Sequence, residues 1–124
     1  QTRRMVDATK RLLPSGALVG YRIDNVRITR PHRSKIRVRC GPCLFLIVQA
    51  RPGKAPRLLT RRILGSVSRK SLLRKTLRPG SRVEVFATRP MWIGRYYAFK
   101  FGRKSFTRAE QCLTPPENRR AKCR

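Results

Sequence analysis

Between Lys35 and Cys40 the chain reads Lys-Ile-Arg-Val-Arg-Cys, a strict alternation of cation and apolar residue. Successive side chains of a strand point to opposite faces, so this stretch reads as a strand that buries Ile36, Val38 and Cys40 and leaves Lys35, Arg37 and Arg39 outside. The same period recurs from Arg82 to Ala87, with Val83 and Val85 inward. It recurs again up to Phe101, where Tyr97, Phe99 and Phe101 share one face and Tyr96 and Lys100 the other. Tyr21 and Ile23 keep one parity while Val26 and Ile28 keep the other, so the slip at Asp24-Asn25 predicts a bulge or turn. Leu44 to Val48 is apolar throughout and reads as a buried strand.

Breakers separate these runs: Pro14-Ser15-Gly16, Pro31-His32, Gly41-Pro42, Pro52-Gly53, Pro79-Gly80 and Arg89-Pro90. Short strands spaced by such turns predict an all-β domain, a small β-sandwich or alternatively a β-barrel, and not a βαβ fold. We divide the chain into a basic N-terminal arm (1–16), a β domain (17–111) and a C-terminal tail (112–124) without periodicity. Within the arm, Asp7 to Leu13 has the makings of a short helix. Residues 57–77 read equally as helix or irregular loop: Leu59, Ile63 and Val67 fit helical spacing, while Gly65 and nearby serines oppose it.

Charge bounds the function. The chain holds 32 Lys and Arg against 5 Asp and Glu, a formal net charge of +27. Few cations can find a carboxylate within the chain, so an anionic partner would relieve the self-repulsion. Arg outnumbers Lys 24 to 8. The guanidinium fork matches phosphate and stacks on bases, although GC-rich codon usage accounts for the ratio equally well. No apolar run is long enough to cross a bilayer.

Arg39-Cys40-Gly41-Pro42-Cys43 contains the letters of a thioredoxin-type redox box. That chemistry needs the first cysteine at a helix N-terminus, where the dipole lowers the thiol pKa. Here strand-period residues precede the box and β-prone residues follow it, so the box reads as a turn stapled by Cys40 and Cys43. The even cysteine count in a short chain predicts disulfides and an oxidising compartment. Four cysteines allow three pairings, of which the local one, Cys40–Cys43 with Cys112–Cys123, is preferred. A zinc site is a minority reading, because Cys112 and Cys123 lack ligand spacing. The lone His32 sits in a loop and reads as solvent-facing. Asp7, Asp24, Glu84, Glu110 and Glu117 are scattered, without a catalytic pair. No catalytic residue, metal or cofactor is expected. The chain opens at Gln1, which reads as a processed N-terminus or a trimmed boundary.

Leu77-Arg78-Pro79-Gly80, Ile93-Gly94, Cys112-Leu113-Thr114-Pro115 and Cys123 form a pattern similar to the ending of uncharacterised secreted modules of high-GC Gram-positive bacteria. Val38-Arg39-Cys40 fits the first half of that pattern loosely, so the resemblance covers about residues 17–123. It departs at Gly41-Pro42, where relatives place more glycines, and at Met91-Trp92. The resemblance implies secretion, an Ig-like β module and the local cysteine pairing. It carries over no catalytic residue.

Three functions compete on these grounds. The first is a secreted protein that coats nucleic acid, or another polyanion, through phosphate contacts without sequence preference. Arg37, Arg39, Arg82, Arg95, Lys100 and Arg103 lie on or beside strands, and Trp92 and Tyr96 are candidates to stack on bases. The second is a homo-oligomeric subunit of an extracellular fibre or surface layer, assembled through a detached arm and free strand edges. The third is a membrane-active cationic protein, although no strongly amphipathic helix is evident. No small-molecule substrate is implied.

Overall fold

The computed structural model describes residues 5–28 and 33–123. The readings placed on Gln1 and on Pro31-His32 lie outside the described residues. Nine strands follow in chain order: β1 (Val6–Leu12), β2 (Leu18–Val26), β3 (Lys35–Arg51), β4 (Lys54–Val67), β5 (Thr76–Leu77), β6 (Arg82–Thr88), β7 (Gly94–Phe101), β8 (Phe106–Thr114) and β9 (Arg119–Ala121). One turn of helix, α1 (Arg69–Leu72), separates β4 from β5, and the Ser68 hydroxyl caps it by accepting from the Ser71 amide at 3.2 Å. All pairings are antiparallel, in the order β1-β2-β5-β3-β6-β7-β8-β9, with β4 on β3. The all-β expectation holds, and the sheet is open, so the barrel alternative does not.

One long strand serves two layers. Lys35–Cys40 of β3 pairs with β6. The ladder then shifts between Cys40 and Cys43, and beyond the shift Phe45 pairs with Leu77 of β5, which pairs in turn with β2. A bulge of this kind bends its strand and lets it pass from one layer to the other. Gly41-Pro42 therefore does not end the strand, as the sequence suggested; it is a bulge within it. Pro42 has no amide to offer the ladder. At Gly41 any Cβ would stand 2.7 Å from Glu84 Oε1. Past the bulge, the Ser81 hydroxyl accepts the Leu44 amide at 2.8 Å, and the Arg78 amide donates to the Leu44 carbonyl at 2.8 Å.

The core lies between the layers. Tyr21 of β2 rests against Phe101 at 5.5 Å and Phe106 at 6.3 Å between ring centroids, and its hydroxyl donates to the Gly102 carbonyl at 2.8 Å. Ile23, Val38, Leu72, Leu77, Val83, Val85 and Phe99 belong to the same buried cluster, with Val6, Val26 and the Cys40 and Cys43 pair. The inward parity read for Val83, Val85, Phe99 and Phe101 is the observed one. Each such side chain contributes about 1.5–3 kcal/mol by leaving water.

The bulge predicted at Asp24-Asn25 is present: the register passes from Asp7↔Asn25 to Ala8↔Ile23 and skips Asp24. The displaced Asp24 carboxylate accepts from the Thr9 hydroxyl and from Arg22 Nε at 2.8 Å. These bonds, that of Thr9 first, hold its pKa below the usual carboxylate value.

Three expectations are corrected. Asp7 to Leu12 is strand, not helix, because β2 offers a ladder to pair with and Val6 is buried at its start, whereas so short a helix is marginal alone. The described part of the arm is thus docked on the sheet rather than detached. Residues 57–67 belong to β4. Leu59, Ile63 and Val67 are spaced by four, an even number, so the spacing that suggested one helix face equally defines one strand face. Leu44 to Val48 is not a buried strand: Leu44 to Leu46 are half-buried, and Ile47 and Val48 are 39% and 55% exposed. With β4 this segment forms a two-stranded ribbon that reaches past the core.

Both local disulfides form, Cys40–Cys43 and Cys112–Cys123. The second ties the β8–β9 hairpin shut, so the tail is ordered into strand rather than irregular. Closing that loop is worth about 3 kcal/mol of chain entropy. Cys112→Ser combined with Cys123→Ser should lower the urea midpoint accordingly, with a slightly steeper slope because the unfolded chain loses a restraint. An unchanged midpoint would mean that non-covalent contacts alone hold β9.

Candidate polyanion interface

Residues opposite one another in an antiparallel ladder share a face. One set of rungs runs Arg37↔Phe86↔Tyr96↔Gln111, the next Arg39↔Glu84↔Ala98↔Ala109, the next Arg82↔Lys100↔Thr107. Cys40, Val83, Val85 and Phe99 have the other parity and face the core. The topology therefore gathers Arg37, Arg39, Arg82 and Lys100 on the outer face of β3, β6 and β7.

Glu84 sits in the middle of this face and is 6% exposed. Its Oε1 lies 3.2 Å from Arg39 Nη1, and its Oε2 lies 3.6 Å from Arg82 Nη2 and 4.0 Å from Arg120 Nη1. The Tyr96 hydroxyl donates to Oε2 and accepts from Arg82 Nη2 at 2.7 Å. One carboxylate thus orients three guanidinium groups and neutralises the charge of one. The Arg39 and Arg82 side chains remain 41% and 34% exposed, although Arg82 Nε itself is buried without a hydrogen-bond partner among the described residues. Aromatic faces steady one further arginine, Arg37 over Phe86 at 4.5 Å, and also Arg120, over Tyr96 at 4.8 Å. Beside them a shallow cavity of about 350 Å³ is lined by Lys35, Arg37, Phe86, Thr88, Glu117 and Asn118.

Tyr96 is not available for base stacking. It is 1% exposed, packed with Ala98, Leu113 and Phe86 in a second small core beneath Arg120. Its parity away from the main core suggested exposure. The β8–β9 hairpin overturns that by bringing Arg120 across the ring, and no local sequence signal marks this cover. Trp92 is exposed in the β6–β7 turn, with the Arg89 guanidinium 4.1 Å above its ring.

Two other basic candidates lie apart. Arg95 has the opposite parity; it contacts the Cys112 and Cys123 sulfurs and lies 3.9 Å from Glu110. Arg103 is exposed in the β7–β8 turn and lines a separate cleft of about 540 Å³ with Leu18, Val19, Leu44, Thr60, Arg78 and Pro79. Lys35, read as outward with Arg37 and Arg39 but not named as a binding residue, and Arg120 are the further members of the face. Lys35 shares the parity of Arg37 and was legible; Arg120 was not.

No helix among the described residues is long and apolar enough to cross a membrane. Burial raises the phenol pKa of Tyr21, Tyr96 and Tyr97, and the bond to Glu84 raises that of Tyr96 further. The folded chain then holds these protons more tightly than the unfolded chain. Their contribution to stability is constant below the ordinary value near 10, and stability falls as pH rises beyond it. Phenolate absorbance should therefore appear above pH 10 in native protein and at the ordinary value in denaturant. Coincident titrations would contradict the observed burial. No protein-family model matches the chain, and neither a curated protein nor a solved structure is found to be similar to it.

Proposed function

We propose that this chain is a secreted, non-enzymatic polyanion-binding protein whose partner is extracellular nucleic acid, held through phosphates without sequence preference. The observation that carries this reading is the outer face itself. A single buried carboxylate is shared by Arg39, Arg82 and Arg120, with Arg37 and Lys100 exposed on the same face. Such a surface offers oriented donors and uncompensated positive charge, as phosphate binding requires. Two disulfides in a small chain favour an oxidising location. Self-assembly into a fibre is the runner-up. The charge of +27 opposes it until a polyanion is bound, so assembly would follow binding. The membrane-active reading gains nothing from α1, which has four residues.

Affinity for duplex DNA should fall by about 10³–10⁵ between about 50 and 200 mM salt if about 6–10 phosphates are neutralised. Arg37→Ala with Lys100→Ala should flatten the salt slope by about 2 for all sequences alike. Arg39→Ala should flatten it less, because Glu84 already holds part of its charge. Trp92→Ala should weaken single-strand binding and spare duplexes. Heparin binding as tight as DNA binding would leave a general polyanion binder and remove the nucleic-acid assignment. Salt-independent binding would remove both.

The box is read as structural. Cys40 and Cys43 are both 0% exposed, which closes the disulfide to an attacking thiolate. Insulin reduction by dithiothreitol should proceed at the uncatalysed rate in its presence. Acceleration that disappears in Cys40→Ser would assign it redox activity instead.

A further inference from the structure

The β3–β4 ribbon has a role that the outer face does not explain. From the Cys43↔Ile63 rung to the Arg51↔Lys54 rung it extends roughly 27 Å at about 3.4 Å per residue. Between Cys43 and Ile63 the sequence holds Arg51, Lys54, Arg57, Arg61 and Arg62 and no acid. Arg51 braces the tip by donating twice to the Ala55 carbonyl, at 2.9 and 2.7 Å, and the other four cations are exposed. At the base, Arg78 Nη1 donates to the Thr60 hydroxyl at 2.5 Å.

Both sides of the ribbon are built for contact. The rung parity puts Arg57, Leu59 and Arg61 on one face with Ile47, and Leu58 and Arg62 on the other with Val48. Ile47, Val48, Leu58 and Leu59 are 39–55% exposed, two on each face. A ribbon lying flat on a partner would need cations and apolar groups on one side only. An object enclosed by its partner needs them on both.

We infer that this ribbon inserts into the major groove of duplex nucleic acid. The inference rests on the nucleic-acid reading above and adds the mode of engagement. The groove is about 12 Å wide and admits a two-stranded ribbon. Its walls are phosphates, which meet cations on either face, and its floor carries apolar as well as polar edges. A second ribbon fits less well, since pairing would set like charges against each other. A lipid bilayer fits less well too, since Arg51, Lys54 and Arg57 precede the apolar rungs and would have to enter hydrocarbon first.

The test uses the full chain and a short duplex containing guanines, probed by dimethyl sulfate at guanine N7, an atom of the major groove. Wild type should protect N7. The ribbon variant Lys54→Ala/Arg57→Ala/Arg61→Ala/Arg62→Ala should lose that protection. Its duplex affinity should fall at least about tenfold and its salt slope by about 4, with weaker binding left through the outer face. A control, Arg69→Ala/Lys70→Ala/Lys104→Ala/Arg119→Ala, removes the same charge from exposed positions elsewhere and should keep the protection. Unchanged thermal midpoints establish that both variants fold. Tight, salt-dependent duplex binding with N7 left reactive would overturn the insertion and leave the nucleic-acid reading standing. So would equal loss of protection in ribbon variant and control. Failure of wild type to bind any polyanion would instead remove the underlying reading. Capture by phosphatidylserine vesicles that needs the four ribbon cations, when duplex binding does not, would assign the ribbon to membranes and overturn the inference.

Discussion

The bulge at Cys40–Cys43 is the joint on which both layers hang. Before it β3 belongs to the layer of β6, β7 and β8; after it the same strand carries β5 and, through β5, β2 and β1. A regular strand would keep one set of neighbours along its length. Two residues outside the ladder and a disulfide across them fix the bend, and Ser81 and Arg78 satisfy the backbone of Leu44 just beyond. Tyr21 can then reach Phe101 and close the core. The motif that looks like redox chemistry is, in this fold, a corner.

Charge shapes the rest. With so few carboxylates, the chain cannot pair its cations one to one. Instead Glu84 serves three arginines, Asp24 pairs with Arg22, and Glu110 lies between Arg95 and Arg108. Exposed pairs such as Arg22–Asp24 are worth little each. The buried Glu84 matters more, because removing it would leave Arg39, Arg82 and Arg120 converging with no carboxylate between them, and of the three only Arg120 lies over an aromatic ring among the described residues. Stability against that repulsion comes from the apolar core and the two disulfides, and the unbalanced charge is left for a partner.

Part of the outer face was legible from alternation alone. Arg37 and Arg39 against Val38 and Cys40, and Val83 and Val85 against Arg82, carry their face assignment in the period of two. Arg95 and Lys100 sit in one strand but differ in parity, so their separation was legible as well once the strand was granted. Leu59, Ile63 and Val67 show the opposite case. Their spacing satisfies both periods, and only the ladder with β3 selects strand. Leu44 to Val48 is apolar enough for a core, yet burial depends on what lies above it, and beyond the Phe45↔Leu77 rung with β5 its ladder among the described residues is with β4.

What the sequence determined by itself is local: which residues alternate, where proline and glycine interrupt, how few acids there are, and that four cysteines are available in two close pairs. Those properties depend on neighbours along the chain, and they were enough for an all-β domain with a basic exterior. What tertiary structure decided is every relation across the chain. Arg120 came to Tyr96 because β9 folds over β8. Arg39 met Glu84 because the β3–β6 register sets them opposite, and Arg120 reached it because β9 pairs with β8; only Arg82, two residues away on β6, shares that face by local alternation. The ribbon projects because β3 outruns the layer it started in. Register and layer order arise from burial and hydrogen bonding between segments distant in sequence, and no local pattern encodes which segment those will be.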